Sequence, residues 1–464
     1  MSSKTAIGRL KRIPAVQKQF NVFTSINSDA EESLKNNSEK AVKPLGNLLC
    51  GIKDNIVTRR LPTSCGSKLL ENYISPFDST VVQLLEYAGA VNVGKTNLDE
   101  FGMGSGGTNS CFGATTNPLF PDESIVVGGS SSGSAAAVAA DVVDFSIGTD
   151  TGGSVRLPAA YASVLGFKPS YGRISRHGVV AYAQSLDTVG IMAKSVNTLE
   201  KVFKVLDMPD EKDPTCLNKA LRSKLSAITK AKSKLRIGIP KEFTPMGVSQ
   251  DLRAEYLAVI QRLEARGHEI YPVSIPNIKN ALPVYYTLAP AEAVSNLSRY
   301  DGLRYGNRDR EKDSSDNTLF APSRAAFGQE VKNRIVLGNY NLSSESFNNH
   351  YIKAQKLRVE LINEFDDIFA LPNILTGSQG IENGIDILLS LSAISTPITT
   401  SEYDSENTDN PITSYINDIF TTPASLAGLP AISVPGGNLK AVGVQIMGQF
   451  GDDLTVLNAA REIL

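Results

Sequence analysis

Histidine is nearly missing from this sequence: of 464 residues only His177, His268 and His350 carry an imidazole, and none stands in a motif. A serine nucleophile in a Ser-His-Asp arrangement would have to use one of these three, since such groups need only be close in space. Cysteine is scarce as well. Cys50, Cys65, Cys111 and Cys216 are irregularly spaced, which makes neither a disulfide framework nor a CxxC metal pair and fits a reducing compartment. The net charge is −2, so no global basic field draws the chain to nucleic acid. No apolar run reaches the roughly 20 residues a membrane crossing needs, and the uncharged stretch 124–140 is too rich in Gly and Ser. A hydrophobic content of 41% with 20% charged residues is ordinary for a globular chain with a large core.

The chain is organised around Gly128 to Arg156, GGSSSGSAAAVAADVVDFSIGTDTGGSVR, which holds eight hydroxyl side chains and little bulk. Two glycine pairs each deliver a serine, Gly128-Gly129 before Ser130 and Gly152-Gly153 before Ser154. Glycine there lets the backbone approach a bound group and turn its N–H groups inward, which is how an oxyanion hole is made from main chain. A flexible Gly/Ser linker would not carry the apolar residues between the pairs. That interval reads as a small-residue helix over 134–140 and a strand over 142–147.

A serine nucleophile needs a base, and a candidate lies upstream in LLCGIKDNIVT (48–58), a largely buried strand by its pattern. Burial of Lys53 would disfavour its charged form, and a neutral lysine can take a proton from a serine. An ordinary strand-end lysine paired with Asp54 is the simpler reading of the segment by itself.

Gly89 to Thr96 matches the phosphate-loop pattern G-x-x-x-x-G-K-[ST]. A true phosphate loop follows a strand and opens a helix. Here residues 80–88 read as a helix, Gly89 as its cap and 90–93 as the strand itself, so the match is a coincidence of letters.

Five basic residues and no acidic one occur among the first 28, a hint of organelle targeting or a basic helix face. Patches at 36–40, 343–350 and 405–410 read as surface loops. A helix over 199–206 precedes a polar break at 207–216 and a stretch, 219–236, with seven basic residues and no acidic one. Strand 235–240, helix 254–266 and strand 269–276 form a βαβ-like run, and strands 430–435 and 441–448 precede a terminal helix from Asp452. Strands alternating with helices predict one α/β unit, a mixed sheet with helices on both faces.

GIKDNI around Lys53, GGSSSGS around Ser130 and GTDTGGSVRLPA around Ser154 together resemble the amidase signature family, whose serines are likewise 24 residues apart. GKTNLDEFGMGSGGTNS (94–110), GFKPSYGRISRHGVVAYAQSLDTVG (166–190) and DIFTTPASLAGLPAISVPGG (418–437) extend the likeness over nearly the whole chain. The last two, with RYDGLRYGNR (299–308), resemble one branch, the glutaminase subunits of tRNA-dependent amidotransferases. The segments before Lys53 and over 370–410 match less well.

The resemblance implies an α/β/α sandwich in one domain, 1–464: an N-terminal segment 1–45, a signature core 46–206, a polar connection 207–234, and a half 235–464 that completes the sheet and a substrate lid. It implies a Ser–cis-Ser–Lys triad, in which Ser154 attacks the glutamine carboxamide and Ser130 relays the proton to Lys53. Backbone N–H groups of Thr151, Gly152, Gly153 and Ser154 would hold the oxyanion, and Asp150 and Arg156 would brace the loop. Arg334 in EVKNRI would bind the substrate carboxylate, Asp418 in NDIFTTP its ammonium, with help from one tyrosine of the pair 285–286, preferably Tyr285. No metal or cofactor is expected in this chain. ATP and Mg²⁺ would serve a B subunit that receives the ammonia and contacts Glu-tRNA(Gln), with a small third subunit beside it and a mitochondrial setting. A stand-alone amidase on small or fatty amides is the alternative, and it should lack the Arg334/Asp418 pair.

Overall fold

Among the described residues, short apolar runs become eleven strands in one sheet. They are β1 (Phe23–Ile26), β2 (Leu49–Lys53), β3 (Val91–Thr96), β4 (Phe145–Asp150), β5 (Leu165–Lys168), β6 (Thr188–Ala193), β7 (Arg236–Pro240), β8 (Glu269–Val273), β9 (Ile387–Leu391), β10 (Ala431–Pro435) and β11 (Gly443–Gly448). Their order is β1-β3-β2-β4-β6-β5-β10-β11-β9-β7-β8. The β3-β2-β4 and β9-β7-β8 neighbours are parallel and the other pairings antiparallel. The computed structural model describes residues 3–35, 43–229, 232–243, 247–308, 324–410, 412–437 and 439–464.

Side chains alternate across a strand, so consecutive apolar residues feed opposite cores. Ile191 and Ile446 join one cluster with the helices Val196–Leu206 and Asp453–Ile463, whereas Met192 and Met447 point to the other face. Both faces are therefore covered, and the central strands read as near-continuous apolar runs rather than alternating ones. The expected mixed sheet between helices is what forms, with strands from both halves of the chain. The polar connection contains a helix of its own, Lys219–Ile228, and Arg222, Lys232 and Arg236 of the basic stretch pair with Asp207 and Asp386.

Several elements differ from the expectation. The helix in the serine-rich stretch is Ser132–Ala139, and the strand after it begins at Phe145 rather than Val142. Asp141 takes a left-handed conformation (φ 57°), and the Val142 N–H returns to the Ala137 carbonyl at 3.2 Å. This cap uses Val142 to end the helix, so it is not free to start the strand. The 20-residue helix Ile278–Leu297 contains Pro283 and Pro290, which made it illegible as a helix. Residues 405–410, expected as a loop, lie largely in the helix Thr400–Asp409, which opens on a Thr399/Glu402 capping box. The patch at 36–40 lies outside the described residues.

The phosphate-loop look-alike is a strand. β3 runs through Gly94, Lys95 and Thr96 without opening a helix. Lys95 is fully buried, 3.0 Å from Asp54 Oδ1 and 2.7 Å from Thr63 Oγ1. Removing it strands the Asp54 carboxylate in the core. Lys95→Ala should therefore cost about 3–5 kcal/mol, the range for breaking a buried ion pair from one side, read as a lower denaturation midpoint. ATP affinity should be the same with and without Lys95; specific ATP binding abolished by the substitution would reinstate a phosphate loop.

Candidate active site

Lys53 ends β2, and the parallel register that sets Ile52 beside Ile147 of β4 brings its side chain to Thr149. Its ammonium nitrogen lies 2.8 Å from Ser130 Oγ, 3.0 Å from Thr149 Oγ1 and 3.4 Å from the Thr149 carbonyl. Asn55 donates to the same Thr149 hydroxyl at 3.0 Å. Lys53 is fully buried, and burial drags its pKa down to about 7, against the pull of Asp99, Asp150 and Asp187 in the other direction. At neutral pH a large share of it is a free amine facing a hydroxyl. The expected pairing with Asp54 does not form, because Asp54 is engaged by Lys95 and Ser64.

The Gly129–Ser130 peptide is cis. A Cβ on Gly129 would lie 2.0 Å from Asp99 Oδ2, so only glycine passes there. Asp99 itself accepts from the backbone N–H groups of Gly107 and Asn109, at 3.1 and 2.9 Å, and burial raises its pKa to about 6.

Ser154 lies half-buried in the turn between β4 and the helix Arg156–Tyr161. The Ser131 N–H donates to the Ser154 carbonyl at 3.1 Å, holding the two serine loops together. The N–H groups of Thr151, Gly152, Gly153 and Ser154 make no hydrogen bond among the described residues, which leaves donors open on the loop that carries Ser154. Gly153 has φ +153°, and a Cβ on it would meet Thr421 Oγ1 at 2.2 Å. That hydroxyl donates to the Gly152 carbonyl at 2.6 Å. Asp150 and Arg156, expected as braces, form a wholly buried bidentate pair at 2.8 and 2.9 Å. Arg156 also reaches the Thr421 carbonyl, Gln445 and Ser425, tying the loop to the C-terminal half.

A cavity of about 580 Å³ is lined by Ser105, Glu330, Asn333, Arg334, Tyr403 and Asn407, among others. Arg334 and Asp418 are both buried. Arg334 donates from Nε to Glu330 at 2.6 Å and from Nη1 to the Tyr182 hydroxyl at 2.8 Å. Asp418 Oδ2 accepts from Tyr286 OH at 2.8 Å and from Ser105 Oγ at 3.1 Å, and burial raises its pKa to about 6. Tyr285 does something else: its ring covers Gly152, where a Cβ would come within 2.6 Å of it.

The residues expected from the sequence thus converge, with two refinements. Tyr286 rather than Tyr285 touches Asp418, and Tyr285 packs on the oxyanion loop. Sequence reading missed Ser105, Thr149, Tyr182, Glu330, Tyr415 and Thr421: Glu330 stands four residues before Arg334 on one helix, a spacing that could have been read, whereas the contacts of the others run far across the chain and leave no local pattern. The histidines lie elsewhere. His177 stacks on Phe77, His268 accepts from the Leu235 N–H, and His350 packs on Tyr340.

Comparison with known proteins agrees with this geometry. The Amidase family model matches residues 8–457. The A subunit of mitochondrial glutamyl-tRNA(Gln) amidotransferase from Eremothecium gossypii is 58% identical over 461 residues, covering 99% of each chain. Its counterpart in Yarrowia lipolytica is 50% identical over 90% of this chain and 92% of its own. Among solved structures, the glutamyl-tRNA(Gln) amidotransferase A subunit from Thermotoga maritima superposes with a TM-score of 0.76 at 34% identity, covering 99% of this chain and 90% of that one.

Two outcomes test the geometry as acyl-transfer machinery. Ser154→Ala should abolish turnover of an amide while the denaturation midpoint holds, and Lys53→Ala should be nearly as damaging, because such groups act as a unit. Near-normal turnover in Lys53→Ala would require another base. Since the amine must be neutral to accept a proton, kcat/KM should rise as pH climbs through about 7, at about tenfold per unit below it.

Proposed function

The chain belongs to the amidase family, and from that footing we propose that it is the glutaminase subunit of the tRNA-dependent amidotransferase that converts Glu-tRNA(Gln) to Gln-tRNA(Gln) in mitochondria. The observation that carries the reading is a fixed cation, Arg334, on the wall of a polar cavity, and a fixed anion, Asp418, held by Ser105 of that same wall and linked to the serine loops. The Asp418 carbonyl accepts from Thr421 Oγ1 at 3.2 Å, and that hydroxyl also holds Gly152. Ser105, which holds the Asp418 carboxylate, takes the Gly129 N–H on its own carbonyl at 2.8 Å. A zwitterionic amino-acid head seated between Arg334 and Asp418 would present its side-chain amide to Ser154. A small or fatty amide has no use for either buried charge.

Ser154 Oγ attacks the glutamine carboxamide carbon as its proton passes to Ser130 Oγ, whose own proton moves to the Lys53 amine. The developing oxyanion meets the open N–H groups of residues 151–154. Collapse returns a proton to the leaving nitrogen, ammonia departs, and a glutamyl ester is left on Ser154. Water then attacks the ester as its proton is taken by Ser130 and Lys53 in the same way, and collapse returns that proton to Ser154 Oγ as glutamate is released. The ammonia would pass to a B subunit that uses ATP and Mg²⁺ to activate Glu-tRNA(Gln), with a small third subunit completing the complex.

Removing one partner of a charge-assisted contact costs roughly 2–4 kcal/mol, or thirty- to a thousandfold, so Arg334→Ala should lower kcat/KM for glutamine by that factor. The loss on a neutral amide should be far smaller. Ammonium salts should still drive Glu-tRNA(Gln) amidation by the assembled complex, since only ammonia production is damaged. Equal losses on glutamine and on neutral amides would make Arg334 a structural residue and remove the substrate assignment.

A further inference from the structure

Arg334 and Asp418 sit on different elements, the helix Gln329–Leu342 and the turn before the helix Thr422–Leu426. One side chain touches the supports of both. Tyr415, half-buried on the short helix Ile412–Ile416, donates its hydroxyl to Glu330 Oε1 at 3.2 Å. Glu330 is the carboxylate that holds Arg334 Nε. The ring of Tyr415 stacks on that of Tyr286, centroids 4.1 Å apart and planes 22° from parallel. Tyr286 in turn holds Asp418. The Arg334 guanidinium lies over both rings, 5.3 Å from that of Tyr286 and 5.5 Å from that of Tyr415.

We propose that Tyr415 is a positioning residue for substrate selection, which sets the spacing between the cation and the anion that read the two charged ends of glutamine. The inference rests on the glutaminase reading above. Its two contacts have separable jobs. The hydroxyl acts on the Glu330–Arg334 side, where Nε and Nη1 are committed to protein partners and Nη2 makes no hydrogen bond among the described residues. Rotation of the guanidinium about that fixed edge is what the Tyr415–Glu330 bond opposes. The ring acts on the Asp418 side, where Tyr286 and Ser105 both engage Oδ2, and Oδ1 accepts no hydrogen bond among the described residues. A tilt of Tyr286 would swing that oxygen. Preorganisation of this kind raises affinity by lowering the cost of ordering the site when ligand arrives.

Two truncated substrates separate the ends. 4-Aminobutanamide is glutamine without its carboxylate, and 4-carbamoylbutanoate is glutamine without its ammonium. Ammonia release from all three would be measured with the full-length chain in its native complex. In Tyr415→Phe, which keeps the ring and loses the hydroxyl, KM for glutamine should rise while kcat changes little. The preference for glutamine over 4-aminobutanamide should shrink by about tenfold, the effect of one hydrogen bond to a charged group. The preference over 4-carbamoylbutanoate should persist in that variant. In Tyr415→Leu, which loses the stack too, both preferences should shrink. Glu330→Gln, whose amide oxygen can still accept from Arg334 Nε, should retain more selectivity than Glu330→Ala.

If Tyr415→Phe lowers kcat/KM for all three substrates by one common factor, Tyr415 is merely structural and the inference fails alone. A Leu variant that does not fold leaves the Phe variant to decide. A parent enzyme that shows no preference for glutamine over either truncated amide overturns the glutaminase reading, and this inference with it.

Discussion

A lysine amine held out of water with no carboxylate on it is the constraint to which this structure answers. Among the described residues Lys53 bonds one serine and one threonine and no anion, so burial, not pairing, governs its protonation. An isolated ammonium in a dry interior costs several kcal/mol even after relaxation, and the cheaper outcome is loss of the proton. Keeping water away requires close packing around the amine, and the local sequence supplies it. The helix Ser132–Ala139 is built from Ser, Gly, Ala and Val and lies directly on β2, β3 and β4. Ser134 bonds Thr96 of β3 at 2.7 Å and the Ile147 carbonyl of β4 at 3.1 Å. Larger side chains on that face would push the helix off the sheet and open a path for solvent.

The second requirement is that the nucleophile loop hold its shape without support from regular structure. Residues 151–155 connect a strand to a helix, and among the described residues the first four find no partner for their N–H groups, which is costly unless neighbours fix the backbone. Arg156 and Asp150 provide that fixation. Their pair is buried, but unlike an isolated ion pair it is satisfied on all sides: the Val155 N–H, the Thr421 carbonyl, Gln445 and Ser425 take up the remaining donors and acceptors. Asp187 braces the front of the loop by accepting from Thr151 Oγ1 at 2.8 Å, while its other oxygen takes the Tyr182 N–H. Tyr182 then holds Arg334. The turn that carries the nucleophile and the arginine at the cavity thus belong to one hydrogen-bonded network, and the C-terminal half is needed to complete it.

Sequence reading recovered what is local or periodic. The strands around Lys53, Ser154 and the late β10–β11 hairpin were legible from apolar runs and turn residues, and Ser130 and Ser154 stood out because glycine pairs are rare in strand-rich surroundings. The roles of Arg334 and Asp418 came only through resemblance, because nothing in EVKNRI or NDIFTTP separates them from a surface ion pair. Two causes account for the rest. Helix propensity gave no reading at 278–297, where Pro283 and Pro290 sit inside a helix whose Tyr285, Leu288 and Ala289 are buried in the core. Long-range contacts were invisible in principle: Ser105 meets Asp418 across 313 positions, and no spacing rule reaches that far.

Lys168 shows why a lowered pKa does not by itself make a base. It is as buried as Lys53, and burial lowers its pKa likewise to about 7. Its amine nitrogen lies 2.5 Å from the Leu429 carbonyl and 3.2 Å from the Pro169 carbonyl. Carbonyl oxygens can only accept, so every contact there favours a nitrogen that donates, and neither contact can hand it a proton. Ser130 is different because a hydroxyl donates as readily as it accepts. When Lys53 is charged, Ser130 accepts from it; when Lys53 is neutral, the hydroxyl rotor can turn its proton toward the amine's lone pair. Thr149 contributes its carbonyl, which keeps one N–H pointed away from that lone pair. The same buried lysine is therefore a strut in one place and a proton acceptor in the other, and the difference is made by hydroxyl neighbours that can reverse, Ser130 at 2.8 Å and Thr149 Oγ1 at 3.0 Å.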